Sequence, residues 1–318
     1  MGQQNYNWKI LGHEKQLRAL EQDLAGGNLP HAYLFAGPSQ IGKYTLARRL
    51  AQILQCEAGA GQAPGCGTCG VCINIEKSYH ADTLEIADNG ETIKIETMRN
   101  TLARMATTSP AKYKILLIEN IERMTQESAN ALLKTLEEPG SQVVFLFTTN
   151  HLEDVLQTVL SRIRLVKFNS NGPEEILQFL KEKHPLEPED KLKTVTDFSF
   201  GLAGRAIFFV EHPEDFEKVQ VLFERVRNVL ERGDIVEKFA LVAEVTQDEK
   251  LFSEFFDIFL LALRYTMLQE AELNGAESAT SEKLQRTVSV LLQAQESVRL
   301  QKRNVNVRLL FEHLMLQT

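Results

Sequence analysis

Ala32-Tyr33-Leu34-Phe35-Ala36 runs straight into Gly37-Pro38-Ser39-Gln40-Ile41-Gly42-Lys43-Tyr44. The first five residues are a short apolar run ending at glycine, which reads as a buried strand. The next eight fit G-x-x-x-x-G-K, the loop that cradles nucleotide phosphates, up to the last place, where Ser or Thr belongs. That hydroxyl normally holds the magnesium ion beside the phosphates. A tyrosine phenol stands a whole ring further from the backbone and cannot sit on the same metal. Thr45 comes one residue late, and one helical step turns it about 100° away. Strand, glycines and helix in this order put backbone N–H groups and a helix N-terminus around an anion, with Lys43 near the outer phosphates. The loop is built to hold phosphate and poorly built to hydrolyse it.

Outward from this loop, strands and helices alternate. A helix is expected over 43–55, with Leu46, Leu50, Ile53 and Leu54 at helical spacing. Strands are expected over 83–87, 114–119, 143–149 and 165–168, and a helix over 128–138, stopped by Pro139-Gly140. Alternation of this kind means a parallel sheet covered on both faces. Around 169–173 the strands stop. Short helices are expected over 174–183 and 189–198, then the glycine turn Gly201-Leu202-Ala203-Gly204-Arg205. From Phe216 onward the chain reads as long amphipathic helices. Leu251, Phe252, Phe255, Phe256, Ile258, Phe259 and Leu263 keep one apolar face, and another helical stretch over 284–316 is broken near Asn304.

Composition bounds the reading. The chain has 318 residues, 43% hydrophobic and 25% charged, the make-up of a globular protein of two or three domains. A net charge of −8 argues against broad nucleic-acid binding by this chain alone, though not against a role on DNA inside a complex. The N-terminus has no signal pattern, and no apolar run is long enough to span a bilayer. A cytoplasmic protein without membrane contact is expected.

Three further constellations carry chemistry. Ile115-Leu116-Leu117-Ile118-Glu119-Asn120-Ile121-Glu122 opens with an apolar strand ending in an acid at Glu119, the usual second half of such a site. Glu119 is one methylene longer than the usual aspartate. Asn120 stands where ATPases of this group carry a water-orienting glutamate, and a carboxamide cannot accept a proton. The four cysteines of the chain, Cys56, Cys66, Cys69 and Cys72, are close enough in sequence to close a tetrahedral thiolate shell, in which Zn–S is ~2.3 Å. Structural zinc is the favoured reading; an iron–sulfur cluster and four free thiols are the rivals. Finally, Ser161-Arg162-Ile163-Arg164 precedes the last strand. An arginine at a sheet edge is usually a solvated charge, yet a site without its own catalytic groups can lend one to a neighbour's nucleotide.

Taken together these residues resemble the AAA+ clamp-loader family. The likeness runs from Ile10-Leu11-Gly12-His13-Glu14 through the loop, the cysteine insert, His80-Ala81-Asp82 and Ala129-Asn130-Ala131-Leu132-Leu133-Lys134-Thr135-Leu136-Glu137-Glu138-Pro139. It continues through Thr148-Thr149-Asn150, Ser161-Arg162 and Gly204-Arg205-Ala206 to Asn304-Val305-Asn306-Val307-Arg308-Leu309. The resemblance implies an α/β P-loop AAA+ core over 1–169 with a zinc module at 56–72, a small helical lid over 170–212, and an all-α collar over 213–318 that serves oligomerisation. It implies a nucleotide site made of Gly37, Gly42, Lys43, Tyr44, Thr45, Glu119, Asn150 and Arg205, with Asn150 sensing the γ-phosphate. Arg162 would be an arginine finger acting in trans. The implied cofactors are structural Zn2+ and ATP or ADP, with the Mg2+ position in question at Tyr44. The implied partners are the motor and clamp-opening subunits of a hetero-pentameric loader, the sliding clamp, and primed DNA through the complex. The activity would belong to a DNA-directed DNA polymerase holoenzyme, a nucleotidyltransferase assembly, with weak or absent ATPase activity in this chain. An active motor subunit and a nucleotide-free scaffold are the alternatives.

Overall fold

The structure, a computed structural model, describes all residues except 1–5, 28, 58, 60–62, 108–110, 141, 248, 275–287, 291, 294–306 and 318. Asn304, Val305 and Asn306, and the expected break near them, lie outside the described residues, as do the side chains of Leu251 and Phe252. The chain divides into two compact units, Met1–Phe208 and Phe209–Thr318.

The first unit is built on five parallel strands: β1 (Ala32–Ala36), β2 (Thr83–Ile86), β3 (Lys114–Ile118), β4 (Val143–Thr149) and β5 (Arg164–Lys167). Their order is β2-β3-β4-β1-β5. The phosphate loop therefore leaves the C-terminal end of an interior strand, where parallel α/β sheets place their ligands. β1, β3 and β4 are buried on both faces, which is why they read as continuous apolar runs.

Alternation along the strands divides the core in two. Tyr33, Phe35, Ile115, Leu117, Val144 and Leu146 face one side, where α2 (Lys43–Gln55) packs through Leu46, Leu50, Ile53 and Leu54 and α1 (Glu14–Ala25) adds Leu20. Leu34, Leu116, Ile118, Phe145 and Phe147 face the other. There α4 (Ile95–Met105) contributes Met98 and Met105, and α5 (Gln126–Glu137) contributes Leu132 and Leu136. This is the expected sheet flanked by helices. A short helix α3 (Gly70–Glu76) lies within the cysteine module, and α6 (Gln157–Leu160) comes just before β5.

After β5 come α7 (Pro173–Lys183), α8 (Glu189–Phe198) and α9 (Ala203–Glu211). Gly201 enters the last of these at φ +78°, and a Cβ there would come within 2.7 Å of the Asn171 carbonyl oxygen. Only glycine serves at that approach. The second unit is helical: α10 (Pro213–Arg232), α11 (Ile235–Val245), α12 (Glu249–Asn274) and a last helix, Val307–Gln317. Its core gathers Phe255, Phe259 and Phe311, whose rings lie 5.6–5.9 Å apart between centroids.

Candidate functional site

Lys43 is the first residue of α2, and Gly42 caps the helix at φ +96°. The loop closes on β4, with the Gly37 N–H donating to the Thr149 carbonyl at 3.2 Å. This geometry buries Lys43, which is 6% exposed. Its ammonium donates to the Pro38 carbonyl at 2.6 Å and to Asn150 Oδ1 at 2.7 Å. Burial pulls its pKa down to about 8, against the pull of Glu122 and then Glu119. The lysine and Asn150 thus meet directly, as the sequence reading placed them in one site.

Asn150 anchors a wider network. Its backbone N–H donates to Glu122 Oε1 at 2.9 Å, and its Nδ2 donates to Asn120 Oδ1 at 2.9 Å. Asn120 is left-handed, φ +53°, with its N–H on Thr148 Oγ1 at 3.0 Å. Its Nδ2 donates to Asp88 just beyond β2, and Arg123 pairs with the same carboxylate at 2.9 Å. Burial raises the Asp88 pKa, but the Gly90 amide, Asn120 and Arg123 outweigh it and hold the carboxyl below its ordinary value. Glu119 accepts the Asp88 N–H at 3.0 Å. The carboxamide at 120 is therefore spent on structure.

Tyr44 turns away from the loop. Its hydroxyl donates to Glu85 Oε2 at 2.8 Å, an oxygen shared with Arg48 at 2.8 Å and Ser78 at 2.9 Å. The Arg48 guanidinium stacks on the tyrosine ring at 4.7 Å. Burial, then the Glu85 bond, push the phenol's pKa up, so it stays neutral. Thr45 is exposed. Gly204, in the first turn of α9, donates its N–H to the Gln40 carbonyl of the loop at 2.8 Å. A Cβ there would stand 2.7 Å from the same oxygen, so only glycine allows the contact. Arg205 follows, 8% exposed, with its guanidinium 5.3 Å from the centre of the Phe200 ring.

Cys56, Cys66, Cys69 and Cys72 come together, their sulfurs all within 4.8 Å of one another. Amides donate to the sulfurs: Thr68 and Cys69 to Cys66 at 3.4 and 3.3 Å, and Cys72 to Cys69 at 3.4 Å. The Thr68 side chain, then its amide and that of Cys69, bring the Cys66 pKa down to about 6. Four soft donors at this separation fit one tetrahedral ion. A multi-iron cluster holds its cysteines farther apart. Gly65 has φ +80°, and a Cβ on it would meet Ile53 at 2.8 Å, so the module packs hard against α2.

Arg162 follows α6 and lies elsewhere. It donates to the Thr158 carbonyl at 2.8 Å and pairs with Glu137 at 2.7 Å. Arg164, where β5 begins, is level with Tyr33 on β1. That is four residues short of Gly37, about 13 Å along a parallel strand, and Arg162 comes earlier still.

A family model described as "DNA polymerase III, delta subunit" matches residues 12–172. The chain belongs to the DNA polymerase III clamp-loader family. The delta' subunit of Pseudomonas aeruginosa is 29% identical over 301 residues, covering 90% of this chain and 91% of that one. The gamma subunit of Buchnera aphidicola from Schizaphis graminum is 33% identical over 229 residues, 70% of this chain and 62% of its own length. The chain thus spans less than two thirds of that gamma subunit. A RuvB variant of Thermotoga maritima superposes with a TM-score of 0.52 at 17% identity, over 80% of this chain and 88% of that one. That likeness concerns the fold alone, the AAA+ arrangement of a parallel sheet followed by helices. The family expected from the motifs is the family found.

Sequence reasoning did not single out Glu122, Glu85, Asp88 or Arg48. Only Glu122 carried a signal: it follows Glu119 by three residues, inside the 3-10 helix Ile121–Arg123.

The buried ammonium has a measurable consequence. The folded pKa of Lys43 lies below its ordinary 10.5, so between about pH 8 and 10.5 the unfolded chain holds more protons and this group's contribution to stability rises with pH. Lys43→Met removes the titration. In urea denaturation the variant should lose up to ~3 kcal/mol relative to the parent between pH 7 and pH 10.5. A difference that stays flat with pH contradicts a buried charged lysine.

Proposed function

We propose that this chain is a non-motor, delta-prime-like subunit of the replicative sliding-clamp loader of DNA polymerase III. It takes part in ATP-dependent loading of the clamp onto primed DNA and lends Arg162 to the ATP site of a neighbouring subunit. The observation that carries this is the split between loop and arginine. The loop holds Lys43 and Asn150 ready for phosphate, but Tyr44 is bonded to Glu85 and Asn120 to Asp88. Arg162 stands toward the opposite end of β1 from the loop, beyond an arginine's reach of about 7 Å. A charge placed so is out of reach of this chain's own loop, which supports a role on another chain's phosphates.

The supporting relatives include both gamma and delta' subunits. The gamma likeness favours the motor reading; the residues at 44 and 120 favour the non-motor one. Gly37, Gly42, Lys43, Thr45, Glu119, Asn150 and Arg205 are proposed to surround ATP or ADP. The domain scheme proposed is an AAA+ core over 1–169, a lid over 170–212 and a collar over 213–318. The collar reading is supported by Ile235, Val236 and Leu316, 58%, 74% and 55% exposed beside one cavity of the second unit. Partners would be the motor and clamp-opening subunits, the clamp, and DNA through the complex. A cytoplasmic location is proposed on the same grounds. Among the described residues no helix is long and apolar enough to cross a membrane.

Zinc is the ion proposed for the four thiolates, with a structural role because no coordination position is left for a substrate. Metal analysis of the purified chain should return about one zinc per chain, lost in Cys72→Ser together with thermal stability. Iron and a brown solution would contradict the assignment.

Arg162→Ala tests the functional reading. In the reconstituted loader, DNA-stimulated ATP turnover at the served site should fall by about 10³-fold or more. Arg162→Lys should not restore it, because an ammonium lacks the planar fork. Assembly and metal content should not change. Unchanged turnover in Arg162→Ala would overturn the proposal.

A further inference from the structure

A nucleotide's phosphates usually arrive with a divalent cation, and the position after Lys43 has no Ser or Thr hydroxyl to receive it. The Tyr44 phenol is committed to Glu85, and Thr45 faces solvent. Glu119, at the end of β3, accepts the backbone N–H of Asp88 at 3.0 Å. Glu122 is placed differently. One of its oxygens accepts the Asn150 N–H at 2.9 Å. The other, Oε2, is shut off from solvent and has no hydrogen-bond partner. A buried anionic oxygen without a donor is costly, and such groups are commonly met by an ion or a bound water. Asn150 also links Glu122 to the loop, since its Oδ1 accepts the Lys43 ammonium at 2.7 Å. Carboxylate and ammonium thus hold the same asparagine from two sides.

The electrostatics agree with that placement. Of the acids that act on Lys43, Glu122 acts most strongly, ahead of Glu119. Two carboxylates beside a phosphate cradle repel a bare nucleotide. A divalent cation between them and the phosphates turns the repulsion into attraction. Magnesium needs little more from a protein: one or two carboxylates, with phosphate oxygens and waters completing its shell.

We propose that Glu122 is the protein ligand of the divalent cation accompanying a nucleoside di- or triphosphate in this loop, its free Oε2 serving where the hydroxyl expected at position 44 is missing. The proposal rests on the reading of the loop as a nucleotide site. It makes the chain a binder of the magnesium–nucleotide complex without giving it a group to activate water, since Glu122 is then neutralised by the metal it holds.

The test is a calorimetric titration of the full-length chain with ATP and with ADP, each in excess magnesium and in EDTA. The parent should bind on the order of tenfold more tightly with magnesium. Glu122→Gln keeps an oxygen for the Asn150 N–H and so keeps the fold, which its melting temperature checks. In that variant, affinity should fall in magnesium and rise in EDTA, bringing the two values within about twofold. Lys43→Ala should weaken binding under both conditions, marking the loop as the place of binding. A magnesium preference that survives in Glu122→Gln overturns the proposal, as does a parent with no preference. A parent that binds neither nucleotide overturns it too, yet leaves standing the trans role of Arg162, which is read in the assembled loader.

Discussion

A positive charge buried at the end of an interior strand is the constraint around which the first unit is arranged. Lys43 is held there because Gly42 permits the left-handed turn into α2 and because β4 runs beside β1, so that Asn150 arrives within 2.7 Å of the ammonium. Burial of an ammonium is unfavourable unless oxygens meet it. Pro38 and Asn150 do so, and Glu122 and Glu119 supply the compensating field. From Asn150 the bonding continues through Asn120 to Asp88 and Arg123, tying three strand ends together. The site is thus a polar cluster on the C-terminal edge of an otherwise apolar sheet. Its members hold one another in place, as networks in a low dielectric do when nearly every group is satisfied.

The two departures from an ATP-hydrolysing site have structural uses of their own. Tyr44 joins Glu85, Ser78 and Arg48 in a cluster that fastens α2 to β2, the far edge of the sheet. Asn120 can donate through Nδ2 to Asp88 and accept from Asn150 through Oδ1, which a carboxylate there could not do. Each residue exchanges a catalytic option for a hydrogen bond that needs its particular chemistry. Arg162 is separate from all of this, resting on Glu137 and the last turn of α6. Its pair is half exposed, and such pairs are worth about 1 kcal/mol or less.

Much of the fold was legible in the sequence because buried parallel strands are continuous apolar runs. β1, β3 and β4 showed themselves in that way, whereas β5, exposed at three of its four positions, lies one residue earlier than the pattern indicated. α1 and α4 were not foreseen: each buries only one or two side chains, although α1 keeps Leu17, Leu20 and Leu24 at helical spacing. α3 was hidden inside the cysteine motif. The glycine turn near 201–205 runs into α9 at Ala203, and Gly204 in its first turn approaches the loop as no other residue can. The phosphate loop and the thiolates were readable from spacing, since each gathers within a short stretch of chain. Glu85 and Asp88 were not: their partners lie 41 and 32 residues away, and only the sheet brings them together. Glu122 follows β3 by four residues, in the 3-10 helix Ile121–Arg123, and its place in the sequence does not tie it to Asn150, 28 residues on.

The account stands or falls on whether a loop with Tyr44 and Asn120 can turn over ATP unaided. The decisive measurement is ATP hydrolysis by the purified chain alone, in magnesium, with and without primed DNA. The account predicts no turnover above background in either case. Turnover that disappears in Lys43→Ala would contradict it, and would mean that this chain is itself a motor subunit.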